Sequence, residues 1–501
     1  MKYISTRNSK NEVSGHEAVL SGLAADGGLF VPAEIPRLSL SQIRSMEELD
    51  YPERAAIIMR LYFDELSETE IADITSRAYS TFDGDAAPVL MLDEGLAALE
   101  LWHGKTHAFK DMALSVLPLL MTALKEKAGQ KETCIIPVAT SGDTGKAALE
   151  GFSDVDGTAV IVFYPDGGVS PLQQKQMCTT EGGNVSVVGV KGNFDDAQTA
   201  VKEAMNSPEL AKKLTALGCK MTGANSINWG RLAPQIAYYF SAYVDMASGG
   251  KIGWGDELNF CVPTGNFGNI LAGYYAKRMG LPVGKLICAS NDNNVLTEFI
   301  DTGKYTTKRE FKKTISPSMD ILVSSNLERL LFELCGRDSE KIKSYMSGLK
   351  SKKEYKISES ETDALRETFI GRWVSEDEDV EMIDYLFDEY GYICDTHTGV
   401  AFAAYFNYAE NTGDKTPCVI VSTASPFKFV KTVLGAIGEK VPEDDYKALR
   451  ALEDITALPL PESLSEITKK QSRFSGCITA AEVADAVEKF ANIITSAETL
   501  K

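Results

Sequence analysis

Paired cysteines are missing from this chain. Its nine cysteines fall at positions 134, 178, 219, 261, 288, 335, 394, 418 and 477, and no two form a C-x-x-C pair. The odd total and the scatter argue against a disulfide framework and a zinc ribbon. Several lie inside apolar runs such as Asn259-Phe260-Cys261-Val262, so buried, reduced thiols are expected. Long apolar stretches are missing as well. The longest helical one, residues 114–124, is about half of the ~20 residues that cross a bilayer. Residues 1–10 are polar and no apolar leader core follows, so the chain reads as cytoplasmic. Positive charge is scarce: 51 Lys and Arg face 71 Asp and Glu, a net charge of −20. Such a surface repels nucleic acid and anionic membranes, and neither is expected as a partner. A phosphorylated ligand would need a locally basic pocket inside this negative field. Tandem repeats, low-complexity tracts and heptads are also absent.

What remains is ordinary globular composition, 44% hydrophobic and 24% charged over 501 residues, enough for about three domains at ~150 residues each. An apolar strand followed by a loop rich in Gly, Asn or Ser, and often by a helical pattern, recurs along the chain. Residues 134–138 lead into Thr140-Ser141-Gly142-Asp143-Thr144-Gly145. Residues 258–262 lead into Thr264-Gly265-Asn266-Phe267-Gly268-Asn269. Residues 286–289 and 418–421 open similar units, and 158–164 and 184–190 are further strands. Short strands alternating with helices predict α/β architecture with parallel-rich sheets, whose ligands bind at the carboxyl ends of the strands. The first 88 residues read as a separate, mainly helical domain, with a boundary in Asp83-Gly84-Asp85-Ala86-Ala87-Pro88. Residues 358–392 read as helical and acidic, with Glu376-Asp377-Glu378-Asp379 as a solvated face.

Two glycines flank Asn266-Phe267 between a strand and a helix, an arrangement that aims backbone N–H groups at an anion such as phosphate. A plain tight turn is the competing reading. No Lys-Ser or Lys-Thr follows, and G-x-G-x-x-G is incomplete, so triphosphates and dinucleotides lose ground to a smaller phosphate-bearing cofactor. The 140–145 loop is a second polar cup. Lys110 opens an apolar-periodic helix, where the positive dipole end would lower its pKa toward the neutral amine that condenses with a carbonyl. A surface lysine at a helix start is the competing reading. His103 and His107 stand four apart, but Gly104 interrupts a helix there and no third ligand is near, so no metal is expected.

His103-Gly-Lys-Thr-His-Ala-Phe-Lys110-Asp111 resembles the block H-G-P-T, one variable residue, A-F-K-D of the threonine synthase family. Residues 139–145, 225–229, 263–269 and 422–426 resemble further blocks of that family, in order. Tyr3-Ile-Ser-Thr-Arg7 and the stretch from Leu20 to Pro32 resemble its N-terminal domain. Each block is weak alone; the ordered set is specific. Four positions depart from the family pattern: Lys105 in place of Pro, His107 in place of a small or apolar residue, Ser425 where many members have His, and Gly230 where Ala is common. Lys105 and His107 would add positive charge or hydrogen-bond donors near the site.

The resemblance implies the tryptophan-synthase-β-like fold of pyridoxal-phosphate enzymes. It places two α/β subdomains in residues 89–501, the smaller at roughly 130–225, behind an N-terminal domain of residues 1–88. It implies pyridoxal 5'-phosphate as cofactor and the conversion of O-phospho-L-homoserine and water to L-threonine and phosphate. Lys110 would hold the cofactor and move protons at the α and β carbons. Gly265, Asn266, Phe267, Gly268 and Asn269 would hold the cofactor phosphate. Thr423 would face the pyridine nitrogen and Asp143 the ring hydroxyl. Ser141 and Thr144 are candidates for the substrate carboxylate, Arg231 and then Lys105 for the substrate phosphate. The rivals are a serine or threonine dehydratase or β-replacing synthase of the same fold, and an inactive homologue that only binds a phospho-ligand. The N-terminal stretch and the Phe109-Lys110-Asp111 context favour the first reading.

Overall fold

A computed structural model describes residues 1–140, 142–467 and 469–498. At the N-terminus the helices Tyr51–Tyr62 and Glu68–Tyr79 form as their sequences dictate. Each starts on a capping box, Asp50 with Glu53 and Ser67 with Glu70, and buries an apolar face. The same region also holds a three-stranded antiparallel sheet with Lys2–Ser5 between Asn8–Ser14 and Phe30–Pro32. Periodicity did not announce it, because Asn8–Ser14 is polar on both faces. Tyr3 anchors this sheet to the helices by donating to Tyr62 O at 2.7 Å. Its ring also packs on Trp229, at 5.9 Å between centroids.

Trp229 begins the helix Trp229–Ser248, which is buried along nearly its whole length. A helix apolar all round belongs in an interior. This one lies between the N-terminal helix Tyr51–Tyr62 and the helix Gly268–Met279.

Two sheets carry the rest. The larger has the order Phe369–Trp373, Val283–Ser290, Leu258–Pro263, Cys418–Ser422, Leu96–Glu100, Val89–Asp93, parallel except for the last strand. The smaller runs Cys477–Thr479, Val185–Lys191, Thr158–Pro165, Thr133–Ala139, Cys219–Met221 and is parallel throughout. Its central strands are apolar on both faces, as parallel strands covered by helices are. Its edge strand Cys477–Thr479 and the helix Val483–Glu498 come from beyond residues 130–225, so the smaller unit is discontinuous in sequence.

Three expectations are corrected. The helical reading of 358–392 is interrupted by the strand Phe369–Trp373, which pairs with Val283–Ser290. Gly371 lets the helix Val295–Thr302 pack closely on this strand, since a Cβ there would lie 2.8 Å from Thr297 Cα. The acidic run is not all solvated: Asp379 is 1% exposed and neither carboxylate oxygen has a hydrogen-bond partner among the described residues. Burial, followed by Asp395 and Glu376, pushes its pKa well up. Cys477 is exposed, unlike the other cysteines. No helix among the described residues is long and apolar enough to cross a membrane.

Candidate active site

Lys110 lies where three segments meet. The first is its own loop, which Asp111 closes by accepting from Thr106 N (2.8 Å) and Thr106 Oγ1 (2.6 Å). Gly104 allows the closure, because a Cβ there would come 2.6 Å from Asp111 Cβ. The second segment follows the strand Cys418–Ser422: Phe109 N donates to Thr423 O at 2.8 Å and Ser425 N to His107 O at 3.0 Å. Thr423 N donates to Thr398 Oγ1 at 3.3 Å, so its backbone is engaged on both sides and its hydroxyl is the group left to offer. The third segment is the helix Asp143–Phe152 of the smaller unit, whose Asp143 Oδ2 lies 3.8 Å from Lys110 Nζ.

The Lys110 side chain is 12% exposed, not a surface lysine. The long helix expected after it is broken into Asp111–Leu114 and Leu117–Lys127, with Pro118 restarting the second. One turn carries little macrodipole. The Lys110 pKa is lowered chiefly by burial, which Asp143 opposes and Lys428 and Arg231 reinforce.

Asp143 is taken by a residue that the sequence reading missed. Lys428 Nζ sits 2.9 Å from Asp143 Oδ1 and donates to Thr106 O at 2.9 Å. Burial works to raise the Asp143 pKa; Lys428 and then Lys110 overcome it and hold the carboxylate well below its usual range. Lys428 lies just past the 422–426 block, and nothing in its local pattern separates it from a surface lysine.

The 264–269 turn has the geometry of an anion cradle. Phe267 takes a left-handed φ of 58° and caps the helix Gly268–Met279. Gly265 is required by packing, since a Cβ would lie 2.4 Å from Ser318 O. Gly268 is different: a Cβ there would meet nothing nearer than Asn326 Nδ2 at 3.4 Å. Protein packing does not explain this glycine, whereas a phosphate against the first-turn N–H groups would. Asn266 is exposed, with Oδ1 accepting from Ser325 Oγ at 3.0 Å. Asn269 is buried; its Oδ1 accepts from Tyr238 and Tyr239 at 2.7 and 2.8 Å, and its Nδ2 has no partner among the described residues.

Arg231 is no surface arginine either. It is 5% exposed on the first turn of Trp229–Ser248, and it donates to Ala224 O at 3.1 Å while its Nε has no partner among the described residues. Burial pushes its pKa down to about 10, so it remains charged with no carboxylate on it. A buried guanidinium with a spare donor, beside an amine of lowered pKa and a glycine cradle, suits a phosphorylated aldehyde and an anionic substrate.

Other residues stand elsewhere or play other parts. Thr144 is half-buried in the first turn of Asp143–Phe152, and Ser141 lies outside the described residues. Lys105 is exposed and makes no ion pair among the described residues. His107 adds no charge: its Nε2 lies 2.6 Å from Ser463 Oγ, and burial, then Lys428, brings its pKa down to about 3. His103 Nε2 turns to Glu100, at 2.9 Å. Gly230 has a packing reason, because a Cβ would lie 2.7 Å from Leu117 Cδ1.

This geometry can be set beside known proteins. Residues 2–79 match the family model described as threonine synthase N terminus, residues 93–424 that of pyridoxal-phosphate dependent enzymes, and residues 398–491 that of threonine synthase, C-terminal. The chain is 40% identical to human threonine synthase-like 1 over 93% of this chain and 64% of that protein. It therefore spans about two thirds of the length of that relative. It is 39% identical to the threonine synthase of Schizosaccharomyces pombe, over 86% of this chain and 88% of that one. The crystal structure of PLP-bound threonine synthase from Brucella melitensis superposes with a TM-score of 0.87 at 36% identity, covering 98% of this chain and 99% of that one.

Proposed function

This chain belongs to the threonine synthase family, and from that premise we propose that it converts O-phospho-L-homoserine and water to L-threonine and phosphate with pyridoxal 5'-phosphate. The reaction would be the last step of threonine biosynthesis, in the cytoplasm. The observation that carries the reading is the placement of Lys110. It is a nearly buried amine of lowered pKa, with Asp143, Lys428 and Arg231 around it. A binding protein has no use for such an amine, which is what a carbonyl cofactor requires.

Lys110 would hold the cofactor, and Gly265, Asn266, Phe267, Gly268 and Asn269 its phosphate. Thr423 would face the pyridine nitrogen with a neutral hydroxyl, and Asp143 the ring hydroxyl. The cofactor, when bound, supplies an electron sink for the carbon atoms of the substrate. Lys110, once released, would carry protons at the α and β carbons, a task suited to an amine whose pKa lies below its ordinary value. Arg231 would receive the substrate phosphate through its spare donor, in a fork geometry suited to that group. Thr144 and Ser141 would hold the substrate carboxylate. Lys105, exposed and away from any partner, is the weaker candidate for the phosphate. Phe109-Lys110-Asp111 and family matches at both ends of the chain favour this over a dehydratase of the same fold. The purified protein, supplied with cofactor and O-phosphohomoserine, should release phosphate and form threonine in equal amounts. Release of a 2-oxo acid from serine or threonine, without threonine formation, would move the assignment to a dehydratase.

A further inference from the structure

Lys428 is not needed for any role assigned so far, yet it stands beside Lys110 with its side chain 3% exposed. The turn Pro426–Phe429 carries it, directly after Thr423. Its ammonium joins two segments of different origin: the Thr106 carbonyl of the Lys110 loop, and Asp143 at the start of a helix of the smaller unit. One carboxylate therefore serves two ammonium groups. Lys428 Nζ has the hydrogen-bonded contact with Oδ1 at 2.9 Å, while Lys110 Nζ stands 3.8 Å from Oδ2. The shorter, charge-assisted contact is the stronger of the two. At Lys110 the like charge of Lys428 offsets part of the pull of Asp143.

Resting on the reading of Lys110 as the cofactor lysine, we propose that Lys428 is a positioning residue that claims the Asp143 carboxylate and so keeps Lys110 in its neutral, nucleophilic form. The groups that face Lys110 are Asp143, Lys428, Arg231 and Asp111, with Ser318 Oγ at 3.5 Å. Asp143 is faced by His397 as well, and its Oδ1 also accepts from Gln173 Nε2 at 3.4 Å. Around Lys428 lie Asp143, His107, Asp111 and Lys146. None of the last three can replace it on Asp143. His107 is neutral, Asp111 is an acid closed on Thr106, and Lys146 is paired with Glu150.

The test is the pH dependence of cofactor attachment, which joins the neutral Lys110 nitrogen to the aldehyde carbon and releases one water. The full-length chain is stripped of cofactor and mixed with pyridoxal phosphate. The rate of borohydride-trapped label on Lys110 is then followed from pH 6 to 10. In Lys428→Gln the midpoint should rise by about one pH unit or more, so that attachment below it slows about tenfold. Lys428→Arg should keep the original midpoint. Asp143→Asn should lower it, because Lys428 then repels Lys110 unopposed; this arm carries the test should Lys428→Gln fail to fold. An unchanged midpoint in Lys428→Gln, or an unchanged or raised one in Asp143→Asn, overturns the inference while leaving the proposed function standing. No label on Lys110 in the unsubstituted chain would overturn both.

Discussion

The turns at 140–145 and 264–269 read alike as strings, and differ in what occupies the place a side chain would take. In the first, a Cβ on Gly142 would lie 2.6 Å from Gln173 Nε2 and one on Gly145 2.4 Å from Thr140 Cγ2. Thr140 Oγ1 accepts from Gly142 N at 3.0 Å and Gly145 N at 2.9 Å, so two N–H groups of this turn are already satisfied by the protein. In the second, Gly265 is likewise packed, but Gly268 has room for a Cβ at ordinary contact distance and Asn269 Nδ2 is unpartnered. Glycine spacing alone cannot separate a turn closed by its own protein from one that suits a ligand; the surroundings of each Cα can.

The largest effect should come from Lys110, which lies between the two turns. Lys110→Ala should abolish both threonine formation and the borohydride-trapped cofactor label; a label retained on another lysine would reassign the site. Next come the glycines, which test the comparison itself. Gly268→Ala should weaken cofactor binding about tenfold or more, the loss of one hydrogen bond to a charged group at about 1.5–3 kcal/mol. It should leave the stability of the cofactor-free protein within about 0.5 kcal/mol. Gly145→Ala should do the reverse, costing about 1–3 kcal/mol of stability through overpacking. Denaturant melts with and without cofactor distinguish them, and equal behaviour of the two variants would erase the contrast. Arg231→Met should lower kcat/KM for O-phosphohomoserine about tenfold or more, with cofactor absorbance intact. Its melting temperature should be no lower than that of the original protein, because a buried charge without a counter-ion gives way to an apolar chain of similar length. The last effect concerns acid. His107 has an ordinary pKa of 6.5 and about 3 when folded. Between these values the unfolded chain binds a proton that the folded one refuses, so stability is full above pH 6.5. It declines as pH falls toward 3, by up to about 1.4 kcal/mol per pH unit. His107→Asn, compatible with the left-handed φ of 56°, should have a shallower acid limb in urea melts at pH 5 and pH 7.

Six strands of the two main sheets were legible as apolar runs, most of them ending in a turn rich in Gly, Asn or Ser; the observed strand 133–139 extends the expected one by one residue at each end, and 258–263 by one residue at its C-terminal end. Asn8–Ser14 and Phe369–Trp373 were not legible, since neither has a period-2 pattern strong enough to outweigh helical neighbours. At the site, Lys110 and the glycine turns stand out through local sequence. Lys428 does not, because its importance comes from Asp143 and Thr106, which are hundreds of residues away in the chain and adjacent only after folding. Burial of Arg231 was equally hidden, for it depends on the whole helix Trp229–Ser248 lying in the interior. The dipole explanation for Lys110 failed because Pro118 shortens the helix that was to supply it.

The late arrival of Cys477–Thr479 at the smaller sheet has a consequence for biosynthesis. It pairs with Val185–Lys191, whose other neighbour, Thr158–Pro165, is made early. On the ribosome, that strand therefore keeps a row of unpaired backbone donors and acceptors until the chain reaches Cys477. An exposed, apolar, parallel edge is a template for pairing with another nascent chain. Truncation before Cys477 should accordingly give a product that aggregates at this edge, even though Lys110, Asp143, Lys428 and both glycine turns would all be present in it.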